Sequence, residues 1–134
     1  GGKTGKLAFI ELTHSIVADG EEAIRENQTL VYRDAAGPDA PHSPPGPSNA
    51  RFDHDAWDAS TTITPDPRLL FRFSALTFNT HRIHYDLPYA RDVERYRGLV
   101  VHGPLIASLL MQLVGDTHGD NALASFGFRA AYEL

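Results

Sequence analysis

Between Ala35 and Asn49 the chain places five prolines (Pro38, Pro41, Pro44, Pro45 and Pro47) and two glycines among few large apolar residues. Proline lacks a backbone donor and fixes φ, so no helix or paired strand can run through such a stretch. The segment is expected to be a solvated, partly polyproline-like linker. It divides the chain into two unequal parts. His42, inside it, reads as a solvated surface histidine.

The first part alternates. Lys6 to Val17 carries Leu7, Phe9, Leu12 and Ile16 with Glu11, Thr13 and Ser15 between or beside them. Asp19-Gly20 follows, a dipeptide suited to a tight turn because glycine accepts positive φ. From Ile24 to Tyr32 one face holds Ile24, Glu26, Gln28, Leu30 and Tyr32, and the other Arg25, Asn27, Thr29 and Val31. Period-two patterning on both sides of Asp-Gly predicts an antiparallel hairpin.

The second part mixes periods. Thr61 to Thr77 reads as extended: Thr61, Thr62, Ile63 and Thr64 favour a strand, Pro65 and Pro67 interrupt it, and Leu69, Leu70, Phe71 and Phe73 resume an apolar run. Asn79 to Asp86 is dense in polar rings and amides. Asp86 can cap a short helix through Tyr89, Ala90 and Val93, with Pro88 in its first turn. Gly103-Pro104 opens a long helix in which Leu105, Ile106, Leu109, Leu110, Leu113 and Val114 recur at helical spacing. No charge falls between Pro104 and Gly115, so this helix is expected to be more buried than a surface helix, with Gly115 ending it. Ala122 to Leu134 alternates like a strand and stops in mid-pattern. Hairpin plus long helix makes an α+β chain.

Bulk properties exclude several function classes. The 134 residues carry a net charge of −5 with scattered Lys and Arg, which argues against a nucleic-acid partner. Leu105 to Val114 is too short to span a bilayer, so no membrane partner is expected. Without cysteine there is no disulfide, Cys-zinc site or thiol nucleophile, which fits a reducing compartment. Gly1 to Lys6 lacks the apolar stretch of a signal peptide, and the chain has no initiating Met, so it reads as a processed or excised piece.

Three histidines, His81, His84 and His102, gather around the loop and the helix start. Three readings stand. They are surface or hydrogen-bonding side chains; or His81 and His84 present two imidazoles to a metal, although zinc asks for three or four protein ligands and no cysteine is available; or they carry proton-transfer chemistry.

The surrounding pattern bears on the third reading. Phe78-Asn79-Thr80-His81-Arg82-Ile83-His84-Tyr85-Asp86, followed by Val101-His102-Gly103-Pro104-Leu105-Ile106, resembles the motif of the MaoC-like, (R)-specific enoyl-CoA hydratases. That motif runs Gly-Asp-any-Asn-Pro-any-His with an acidic residue after it, then His-Gly before a long helix. The five-residue step from its Asp to its His is kept as Asn79 to His84. Phe73 to Asn79 with His81 to Asp86, and Gln28 to Arg33 earlier, resemble more closely a subgroup containing the mesaconyl-C4-CoA hydratases and the hydroxyacyl-thioester dehydratases of type 2. The resemblance covers most of the chain.

The resemblance implies a hot-dog fold, a long central helix wrapped by a curved antiparallel sheet, doubled in the family and apparently truncated here. On that basis residues 1–34 are the closing hairpin of a first hot dog, 35–59 the linker, and 60–134 a second, catalytic hot dog. It implies a hydratase or dehydratase acting on an enoyl thioester of coenzyme A or acyl carrier protein, without cofactor or metal. Assembly as a homo-oligomer, or completion by missing segments, goes with this, in the cytoplasm or, in a eukaryote, the mitochondrial matrix. Hydration needs a base for water and a group to hold negative charge on the thioester oxygen. His84 suits the first task and the unpaired amides at the helix start, Gly103 above all since Pro104 has no N–H, suit the second.

The departures also assign roles. With Asn79 where the broader motif has Asp, an amide can orient water but not act as an acid at neutral pH, so His84 both removes and returns the proton, or His81 shares the work, or the chain is inactive. Arg82, for which the sequence identifies no partner, either meets a substrate carboxylate or phosphate or is a solvated surface residue. His102, Gly103 and Pro104 are expected at the substrate. Two rivals remain: a hot-dog thioesterase, disfavoured because no Asp or Glu occurs from Pro104 to Val114, and a non-catalytic fragment or subunit.

Overall fold

The computed structural model describes residues 6–35, 37, 39–43 and 54–129. By their internal contacts they fall into two units, Gly1–Ala36 and Gly37–Leu134.

The first unit is the expected hairpin. Strand β1 (Leu7–Ala18) pairs antiparallel with β2 (Glu21–Arg33), from Leu7 opposite Arg33 to Ala18 opposite Glu21. Asp19 and Gly20 join them with φ of 53° and 84°, the two positive values that a two-residue turn matching the strand twist requires. Ile16 pairs with Ile24 but Val17 pairs with Glu22, so Ala23 is an extra residue, a bulge near the turn. This register puts Ile10, Leu12, Ile16, Ile24, Leu30 and Tyr32 on one face, with His14 bonded to Glu26 among them at 2.8 Å. Thr13–Asn27 and Ser15–Glu22 bonds, with the Arg25–Glu22 pair, line the other. No strand residue is buried.

The second unit holds the helices, and here one expectation fails. Residues 61–66 have no regular structure, but from Pro67 the chain is helical: α1 runs Pro67–Leu76. Pro67, expected with Pro65 to interrupt a strand, instead stands at the start of a helix that Asp66 caps. Asp66 accepts the Leu69 N–H at 2.8 Å, and Pro67 occupies a first-turn position where no donor is needed. Leu70 and Ser74, four residues apart, turn one stripe inward and override the strand preference of Phe71 and Phe73. Helix α1 closes with a reversed turn in which Phe78 N–H reaches the Ala75 carbonyl and Asn79 N–H that of Ser74, with Phe78 at φ 54°.

Asp86 caps the next helical segment through the Tyr89 N–H, as expected, and that segment widens to a π turn over Tyr89–Val93. Helix α2 (Gly103–His118) opens where expected but continues three residues past Gly115, closing at Gly119 with φ 87°. An interior glycine weakens a helix without ending it. The expectation of deep burial is not met: Leu105 alone is buried, and Leu110 and Met111 are exposed. Residues 122–129 form no strand, and 130–134 lie outside the described residues. A strand needs a ladder partner, and among the described residues both strands belong to the hairpin.

Most of the proline-rich segment lies outside the described residues. Within its residues 39–43, Asp39, Pro41 and His42 are exposed as expected, while Ala40 and Ser43 are half-buried and tied to the helical unit. Ser43 N–H binds the Arg95 carbonyl, while Arg95 and Arg97 donate to the carbonyls of Ala40 and Ser43, each at 2.8 Å. Among the described residues the buried set of this unit is Leu70, Ile83, Ala90 and Leu105 with Ser74, His84 and His102. The chain is α+β, its antiparallel hairpin and long helix consistent with part of a hot dog.

Candidate active site

His84 ends a single 3-10 turn, Arg82–His84, whose buried Ile83 anchors it. Val100 clamps this turn twice: its N–H donates to the Ile83 carbonyl at 3.0 Å, and its carbonyl lies 2.7 Å from His84 Nδ1. A carbonyl only accepts, so Nδ1 must carry the proton and neutral His84 has its lone pair on Nε2. The ring is 7% exposed. Burial lowers its pKa below the ordinary value, the charge of His81 adds to this, and the Val100 bond opposes it.

His102 stands at the N-cap of α2 but caps nothing with its side chain. The ring turns into the core, 1% exposed, where Nε2 lies 2.8 Å from the Ser74 hydroxyl and the Phe73 ring meets it edge-on at 4.9 Å. It stacks on His84 with centroids 3.7 Å apart and planes 17° from parallel. Its Nδ1 is buried without a partner among the described residues. A stranded acceptor is tolerated better than a stranded donor, so the proton belongs on Nε2, donating to Ser74. Burial first, then the neighbouring His84 charge, pushes the pKa down to about 4. Both rings are therefore uncharged at neutral pH.

The stack also puts His84 beside the start of α2. Gly103 and Pro104 form its first turn, which contains no carboxylate, and first-turn amides have no intrahelical acceptor. A Cβ on Gly103 would meet the Phe128 ring at 3.9 Å, ordinary contact, so packing alone does not demand glycine here.

Asn79 is half-buried, and its Oδ1 accepts the His81 N–H at 3.0 Å. That leaves the side-chain NH2 as its remaining donor. Asn79 and Ser74 line an open depression of about 240 Å³ whose apolar walls are Phe71, Ala75, Phe78 and Tyr85. His81 is exposed, its ring edge-on to His84 at 5.6 Å. Arg82, unpartnered on sequence grounds, has two partners: Nε and Nη2 both reach Asp86 Oδ2, at 3.0 and 2.7 Å, and the guanidinium lies over the Tyr89 ring at 4.1 Å. The Tyr89 N–H first, then Arg82, holds the Asp86 carboxyl below its usual range. Among the described residues no three His, Asp or Glu side chains are grouped to hold a metal ion, and no helix is long and apolar enough to cross a membrane.

Two participants escaped sequence reasoning. Val100 acts through its carbonyl, which residue identity does not advertise. Ser74 has a signal, a hydroxyl four residues after Leu70, but the two share a stripe only if the segment is helical rather than extended.

The geometry thus places an uncharged imidazole, protonated on Nδ1, beside the first turn of α2. The sequence matches the hydroxyacyl-thioester dehydratase type 2 family over residues 2–134, and the chain belongs to that family. It is 50% identical over 133 residues to the mesaconyl-C4-CoA hydratase of Chloroflexus aurantiacus, covering 99% of this chain and 45% of that protein. To the mitochondrial hydroxyacyl-thioester dehydratase type 2 of Schizosaccharomyces pombe it is 43% identical over 53 residues, 40% of this chain and 18% of that protein. The chain thus spans less than half the length of either relative.

Proposed function

We propose that the chain carries the catalytic histidine of a hydratase/dehydratase that interconverts enoyl and hydroxyacyl thioesters. The observation that carries this reading is the Nδ1–H bond from His84 to the Val100 carbonyl in a ring stacked at the N-cap of α2. In hydration, Nε2 takes a proton from water as the oxygen bonds to the β-carbon. The π electrons move to the thioester oxygen, where the Gly103 amide and the helix dipole stabilise the charge. The imidazolium then returns its proton to the α-carbon; dehydration reverses each step. Asn79 positions water with its amide, and His81, edge-on to His84, assists proton exchange.

The relatives' names favour an acyl-CoA thioester, and the Chloroflexus protein suggests a branched dicarboxylic acyl group such as mesaconyl-C4-CoA. Arg82 meets the substrate's distal carboxylate only by sharing the guanidinium with Asp86. Thioester hydrolysis is the weaker reading: α2 has no carboxylate in its first turn, and Asp116 lies about 20 Å further along the helix.

The test follows loss of conjugated-thioester absorbance alongside thiol release. Alkene consumption without thiol release is expected, with His84→Ala lowering it by about 10²–10⁴-fold while the fold survives. Thiol release without alkene loss, or full turnover by His84→Ala, contradicts the proposal.

A further inference from the structure

We propose that Phe78 is a specificity-determining wall of an acyl-chain pocket beside the histidine stack, an inference that rests on the hydratase/dehydratase reading. Three observations converge on this residue. Its φ of 54° lies in the left-handed region, where an aromatic L-residue is strained and glycine is not. The position demands that conformation, because Phe78 sits where α1 reverses through the Phe78–Ala75 and Asn79–Ser74 bonds. The side chain that incurs this strain is nevertheless 90% exposed, so among the described residues no packing compensates it. A strained backbone carrying an uncovered aromatic points to a task other than folding.

The surroundings specify the task. Phe78 forms one side of the depression of about 240 Å³ whose other apolar walls are Phe71, Ala75 and Tyr85. Its polar edge leads to the chemistry: the Ser74 hydroxyl is one hydrogen bond from His102, which stacks on His84, and Asn79 directly follows Phe78. The volume is below the roughly 300–1,000 Å³ of sites for larger ligands, which suits a short acyl chain. No Lys or Arg is among its lining residues, so it does not suit the phosphates of coenzyme A. The occupant is the short carbon chain of the thioester, held so that its double bond meets the base.

Phe78→Gly and Phe78→Leu, made in the full-length chain, separate the conformational role of the residue from its contact role. For Phe78→Gly we expect unchanged or raised thermal stability, because glycine takes φ 54° without strain. Its kcat/KM for short enoyl thioesters should fall by about tenfold through KM, with the preference for short over long straight chains largely lost, and Phe78→Leu should be intermediate. Binding of butyryl-CoA, a saturated analogue, is measured in parallel. Wild-type turnover with an unchanged chain-length preference in Phe78→Gly overturns this inference alone. Unfolding or dissociation of that variant also overturns it, because another protein segment would then cover the ring. If the wild type neither turns over enoyl thioesters nor binds butyryl-CoA, the hydratase reading fails and this inference with it.

Discussion

The hairpin and the helical unit solve opposite problems with the same chain. In the hairpin, every side chain of β1 and β2 keeps some contact with solvent; order comes from backbone pairing, a two-residue turn and cross-strand pairs such as His14–Glu26. A two-stranded sheet is marginal alone, and its apolar face of Ile10, Leu12, Ile16 and Leu30 is surface that further contacts can bury. In the helical unit the backbone is irregular between α1 and α2, yet two imidazoles are buried to 7% and 1% exposure. Polar groups so placed are held by specific partners, His84 by Val100 and His102 by Ser74. The difference teaches that regular structure and functional precision need not coincide. The most regular element carries none of the candidate catalytic residues, while the candidate site sits on a 3-10 turn, a loop and one helix end.

That contrast can be broken at the histidine stack, where the largest stability effect is expected. Unfolded imidazoles titrate near 6.5, whereas folded His102 resists protonation until about pH 4 and folded His84 titrates below its ordinary value. Between those values the unfolded chain binds more protons, so stability is full above pH 6.5 and is lost as pH falls toward 4. For His102 this amounts to on the order of 3 kcal/mol. Denaturant titrations at pH 4 and 7.5 measure it. His102→Phe keeps a stacked ring but strands the Ser74 hydroxyl, so it should cost about 1–3 kcal/mol at pH 7.5 and flatten the pH slope. An unflattened slope would mean the sensitivity arises elsewhere.

A smaller effect sharpens the hairpin side. Gly20 holds φ 84° with nothing near its Cβ position, so Gly20→Ala should cost about 1 kcal/mol through backbone strain alone. Amide exchange should loosen β1 and β2 and leave His84 and His102 unaffected. A change in thioester turnover would show that the two regions are energetically coupled.

The same contrast explains what could be read in advance. The hairpin was legible because its determinants are local: alternation, and Asp19-Gly20 between two runs. The opening of α2 and the Asp86 cap were legible for the same reason. Helix α1 was not legible because Pro67 can interrupt a strand or start a helix, and the choice depends on what Leu70 and Ser74 pack against. The Arg82–Asp86 pair, four residues apart, was within reach of a spacing argument. The stack of His84 on His102 and the grip of Val100 join residues well separated in sequence, and residue types alone do not announce them. Phe78 stands where the broader of the two resembled motifs has glycine, and residue type alone does not announce its positive φ.

The central claim is that His84 is neutral at working pH with its proton on Nδ1. Two-dimensional nitrogen NMR of labelled imidazoles across a pH titration tests it most directly. The account predicts a protonated Nδ1 and a bare Nε2 for His84 at neutral pH, with a titration midpoint below 6.5. A proton on Nε2, or a midpoint at or above 6.5, would contradict it.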